Sequence, residues 1–134
     1  MFRLSPDGSG MQVGWTDRTL DVHHGGVVLL DGFVYGAASR GGRWVCLELA
    51  TGAVRYAAGW QGKGSLMAAD GMLYCYAERG VVGLAPVNPE GFEVVSEFRV
   101  TEGSGQHWAH PVVCGGRLYI RHGDVLMAYD VKAR

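Results

Sequence analysis

The chain has only four prolines, three cysteines and a single asparagine, and nowhere does it gather charge of one sign. Twelve Lys and Arg against thirteen Asp and Glu leave a net charge of −1. That balance removes the basic patch that a nucleic-acid or anionic-membrane binder needs. No apolar run approaches the ~18 residues of a membrane-spanning helix. The opening Met1-Phe-Arg-Leu-Ser-Pro-Asp-Gly8 also lacks the apolar core of a secretory signal, so no signal peptide is expected within these residues. Cys46, Cys75 and Cys114 are an odd number, too widely spaced for a CxxC metal or redox motif. Each sits in an apolar run and is expected to be a buried small hydrophobe. No stretch carries a helical i, i+3, i+4, i+7 stripe with caps, which excludes a helical bundle.

What the chain does have is apolar content and glycine. Hydrophobic residues make up 48% of 134 residues, enough for one core and one domain. Twenty-two glycines are more than twice the usual share of about 7%, which favours many short elements joined by tight turns.

Three segments repeat: Val27-Val-Leu-Leu-Asp-Gly-Phe-Val-Tyr35, Leu66-Met-Ala-Ala-Asp-Gly-Met-Leu-Tyr74 and Pro111-Val-Val-Cys-Gly-Gly-Arg-Leu-Tyr119. Their starts at 27, 66 and 111 are 39 and 45 residues apart. A second landmark recurs as Pro6-Asp-Gly8, Ala50-Thr-Gly52 and Pro89-Glu-Gly91, each ahead of an alternating run. Asp31-Gly32, Asp70-Gly71 and Gly115-Gly116 separate two strand-like runs, as a two-residue hairpin requires. Each period therefore holds four short strands, which predicts an all-β fold of four-stranded antiparallel units, the pattern of β-propeller blades.

With the strands of a repeat lettered A to D from the inside out, residues 21–60 and 61–102 each give a whole blade. Residues 103–134 give only A, B and C. The run Met11-Gln-Val-Gly-Trp15 follows its turn as strand D does elsewhere, so it is expected to complete the last blade, within one chain or between chains. Residues 1–134 then form a single propeller domain of about three blades, partial or half of a ring.

The pairing of Asp-Gly-Phe-Val-Tyr35 with Cys46-Leu-Glu-Leu-Ala-Thr-Gly-Ala-Val-Arg-Tyr56 resembles the β-propeller repeat of pyrroloquinoline-quinone-like proteins. Pro89-Glu-Gly91 and Phe98 are looser versions of the same pattern, and residues about 11–131 fall within the resemblance. His23-His-Gly-Gly-Val27 and Gly105-Gln-His-Trp-Ala-His-Pro111 are similar to the C-terminal blades of longer bacterial members, which implies a periplasmic or secreted setting. The resemblance also brings in pyrroloquinoline quinone as a conceivable cofactor. The vicinal cysteine pair of the quinoprotein dehydrogenases is missing, however, and Asn88 stands apart from any acidic cluster, so no cofactor is expected.

A propeller gathers its D-to-A and B-to-C loops at one end. The first set contributes His23, His24, Trp60, Lys63, His107, Trp108 and His110, and the second contributes Arg40, Glu78, Arg79, His122 and Asp124. All five histidines are among them. Histidine carries protons near neutral pH and ligates metals, so this face is the candidate ligand or partner surface. The competing reading is that these rings pack and hydrogen-bond between loops. Neither a GxSxG elbow nor an HExxH helix is present, and His107 and His110 point to opposite sides of an extended chain. No catalytic set and no metal site are therefore assigned. The leading expectation is a non-catalytic binding or scaffold module. The alternative is an oxidoreductase or metal-dependent enzyme with its site on the histidine face. An arc of three blades exposes apolar faces at both ends, so a homo-oligomer is expected, with a head-to-tail dimer of six blades favoured.

Overall fold

The computed structural model describes residues 1–132. Among them every regular element is a β-strand, and the strands form four antiparallel sheets. Strands β1 (Phe2–Leu4) and β2 (Met11–Val13) make a hairpin. Strands β3 (Val27–Leu30), β4 (Phe33–Ala37), β5 (Arg43–Glu48) and β6 (Val54–Gly59) form a four-stranded meander in chain order. A second meander comprises β7 (Gly64–Ala69), β8 (Met72–Ala77), β9 (Val81–Pro86) and β10 (Ser96–Arg99). The last sheet has three strands, β11 (Val112–Cys114), β12 (Arg117–His122) and β13 (Val125–Asp130). Strand β7 lies against β3 and β4 on one side and β11 on the other, so the first strands of successive sheets line one another.

The repeats fold this way because their turns leave little choice. Asp31 and Gly32 have φ of 48° and 82°, and Asp70 and Gly71 have 52° and 73°, the paired positive values of the hairpin turn whose twist suits the flanking strands. Two cores follow. Between the first and second meanders lie Tyr35, Trp44, Cys46, Leu66, Leu73 and Cys75. Between the second meander and the last sheet lie Tyr74, Tyr76, Val82, Leu118 and Ile120. Each fully buried large side chain of this kind contributes about 1.5–3 kcal/mol of transfer free energy. The alternating run from Phe92 is shorter as a strand than its pattern suggests: only Ser96–Arg99 pairs, and Phe92 packs instead against Trp44 and Tyr56.

Two expectations are corrected. Met11–Val13 does not complete the last sheet within the chain, because it pairs with Phe2–Leu4. The local turn wins: Asp7 accepts hydrogen bonds from the Ser5 and Ser9 hydroxyls and the Ser9 amide, closing a short loop instead of a long one. The last sheet thus remains three-stranded and the array of sheets stays open. Cys46 and Cys75 are buried as expected, but Cys114 is exposed. It shares a face of its sheet with Val112, and no further sheet lies over that face.

Candidate functional site

The loops that precede β3, β7 and β11 and those that join β4 to β5, β8 to β9 and β12 to β13 carry the residues of the candidate face, except His122, which is the last residue of β12. Their side chains separate into distinct groups. Trp108 stacks on His24 with centroids 5.5 Å apart and planes at 21°, and His23 meets the indole edge-on at 5.7 Å. His110 joins through its Nε2, which lies 3.2 Å from the His24 carbonyl oxygen. The indole of Trp108 remains 45% exposed, so one aromatic surface with an imidazole border is open to solvent. Both ring nitrogens of His24 are buried without a hydrogen-bond partner.

The second group is internal. His107 stacks on His122 at 3.8 Å and shares a 2.6 Å hydrogen bond between its Nδ1 and the Tyr76 hydroxyl. His122 is buried at the end of β12, where its Nδ1 and Nε2 face the carbonyls of Glu102 at 2.7 Å and Gly105 at 3.1 Å. The ring thereby pins the 102–105 loop to the last sheet, which is a structural role. Tyr76 is the member that the sequence conceals, since it sits mid-strand in an apolar run and reveals its hydroxyl's partner only in three dimensions.

The remaining candidates are scattered. Lys63 and Glu78 pair at 3.7 Å, and Arg40 pairs with Asp21 at 3.4 Å from a largely exposed side chain. Arg79 and Asp124 are exposed. Trp60 is not the open recognition aromatic that its loop position suggests. Its ring lies over Gly83, where any Cβ would come within 2.5 Å of it, and its Nε1–H donates to Glu97 at 3.0 Å.

Electrostatics favour the neutral imidazole at His24 and His107. Burial lowers the pKa of His24, helped by His23 and Lys63 nearby, and burial likewise lowers that of His107, helped by His122 and Arg99. Burial pushes the Tyr76 hydroxyl up to about 12, so it stays protonated. The sign of the linkage is definite. The unfolded chain takes up protons on these histidines near pH 6.5 and the folded chain resists, so stability is full above that pH and declines as pH falls through it. The melting temperature is expected to be lower at pH 5 than at pH 7.5, with a smaller drop in His107→Gln. A melting temperature flat or rising toward pH 5 would contradict this.

Among the described residues no three His, Cys, Asp or Glu side chains are grouped to hold a metal ion. Nor is any helix there long and apolar enough to cross a membrane.

No family model matches the chain, and no curated protein matches it significantly. Solved structures do. The computationally designed Ika8 protein superposes with a TM-score of 0.54 at 14% identity over 78% of this chain and 32% of its own. The computationally designed Ika4 protein gives 0.54 at 15% identity over 84% of this chain and 70% of its own. At such identities the likeness is one of fold, and it places the chain among all-β proteins of antiparallel sheets.

Proposed function

We propose that the chain is a non-catalytic binding or scaffold module, a three-sheet arc of β-propeller type resembling the pyrroloquinoline-quinone-like repeats, which holds a peptide segment of a partner on its loop face. One observation carries the reading. Trp108 is the large aromatic on this face left open to solvent, framed by His23 and His24, whereas Trp44, Trp60 and Phe92 are spent on packing between sheets. An exposed indole on a rigid scaffold is the kind of anchor that dominates interface energetics. The neighbouring imidazoles add donors and acceptors that suit peptide carbonyls and amides.

The test is selection of a displayed random-peptide library on the purified chain, repeated with Trp108→Ala. Because Trp108 is 45% exposed and belongs to none of the cores between sheets, this variant should keep the parent's far-ultraviolet spectrum and cooperative unfolding, so lost binding is separable from lost fold. Peptides enriched by the parent and at least about tenfold weaker on the variant, a loss of about 1.4 kcal/mol, support the reading. Equal enrichment on both, or none on the parent, removes it.

A further inference from the structure

Tyr35, Tyr74 and Tyr119 hold the same place in the three repeats, on the second strand of each sheet. Tyr35 is 1% exposed because the second meander covers it, and Tyr74 is 9% exposed because the last sheet covers it. Tyr119 has no sheet over it. It shares its face with Val112 on β11 and Ala128 on β13, its direct partners in the ladder. Val112 and Leu126, two positions from Ala128 on the same side of β13, are exposed, the latter by 67%.

The opposite end of the array has the matching half. The face of the second meander that covers Tyr35 presents Leu66 and Ala68, and in the repeat these correspond to Val27 and Leu29 of the first. Val27 and Leu29 are 52% and 56% exposed. Separately, the N-terminal hairpin sets Phe2 opposite Val13 and Leu4 opposite Met11 on a single face, all four more than half exposed. One chain therefore makes the same sheet-on-sheet contact twice internally, leaves the Tyr119 half of a third open at one end, and at the other leaves Val27 and Leu29 open beside Val34, Val45 and Leu47, which lie under Trp15 and Leu20 of the same chain.

We propose that two copies of this chain associate head to tail, the Tyr119 face of each packing on the Val27 and Leu29 face of the other. A second copy is the occupant because the chain itself carries the open Tyr119 half and, in Val27 and Leu29, the repeat equivalents of the Leu66 and Ala68 that cover Tyr35. Heterologous contacts run on into a fibre unless the rotation closes them. Closure at two copies rests on the propeller reading above, since two arcs of three sheets give six, within the roughly four to eight of such rings. The contact itself does not depend on the loop face or its peptide.

The experiment is light scattering on the chain at micromolar concentration, with Tyr119→Lys and Val27→Lys measured singly and mixed. The expected mass for the parent is twice the 14.4 kDa of one chain. Each variant alone should be monomeric with an unchanged far-ultraviolet spectrum, and the mixture should recover dimers, because each variant retains the face that the other lacks. Alkylation of Cys114, on the same face as Tyr119, should be slower in the concentrated parent than in the dilute one, a measurement that requires no variant. A monomeric parent, or a mixture that stays monomeric, overturns the proposal. An open-ended polymer of the parent overturns the closed pair and, with it, the six-sheet ring, while leaving the peptide selection as an independent result.

Discussion

Trp44→Ala is expected to cost about 3–5 kcal/mol, enough to unfold much of a population whose total stability lies in the usual range of about 5–15 kcal/mol. The indole is 1% exposed. It lies parallel to Phe92, centroids 5.6 Å apart and planes at 4°, and it donates its Nε1–H to the Trp60 carbonyl at 2.8 Å. Truncation removes the stack, opens a cavity between the two meanders and leaves that carbonyl without its donor, three penalties that add at one site. Trp44→Phe restores most of the ring and none of the hydrogen bond, so it should fall between the two. Denaturant unfolding measures both. A loss under about 1.5 kcal/mol for the alanine variant would mean that the aromatic cluster is not what joins the sheets.

That cluster also marks how far the sequence could be read. The period of 39 and 45 residues and the Asp-Gly turns fixed the strand inventory because both are local: positive φ at residues 31, 32, 70 and 71 is imposed by the dipeptide itself. The choice of partner for Met11–Val13 is not local. It had two sheet edges to join, and what decided it was the hydrogen-bonded Ser5–Ser9 turn, whose short closure costs less chain entropy than reaching the far sheet. Phe2–Leu4 escaped notice as a strand because three exposed residues carry no alternation to detect.

The candidate face shows the same division. Loop order alone placed the five histidines at one end of the sheets, since topology determines which loops meet. It did not determine that His107 and His122 would stack internally while His23, His24 and Trp108 formed the open group, because that follows from side-chain torsions and from the room each loop has. Trp60 illustrates the limit. Its loop position matches that of an exposed aromatic, yet the bare backbone of Gly83 gives its ring a place to lie, and the indole takes it. Cys114 errs in the other direction: its apolar run reads as buried, and its face would be buried if a fourth sheet or a second chain stood against it.

Gly64→Ala should damage the fold more than any other single methyl group added to a glycine of ordinary backbone angle. At Gly64 a Cβ would stand 2.2 Å from the Tyr76 carbonyl oxygen and 2.9 Å from the Ala77 Cα, both backbone atoms of the neighbouring strand β8. The Gly64 carbonyl is itself the wall that a Cβ on Gly25 would meet at 2.2 Å, so three backbones converge where β7 enters the middle of the array. Backbone cannot rotate away as a flexible side chain can. Overpacking of this kind costs about 1–3 kcal/mol even in side-chain cores, and here a loss above about 3 kcal/mol is expected, with the two inner strands forced apart. The control is Gly59→Ala, at the end of β6, where nothing lies within 4 Å of the added carbon. Both replacements reduce the freedom of the unfolded chain equally, so the difference between them isolates the native-state clash. Gly59→Ala should be neutral or stabilising by up to about 1 kcal/mol, and a Gly64 variant that melts with it would show that β7 does not approach β8 and the Gly25 loop as closely as the geometry requires.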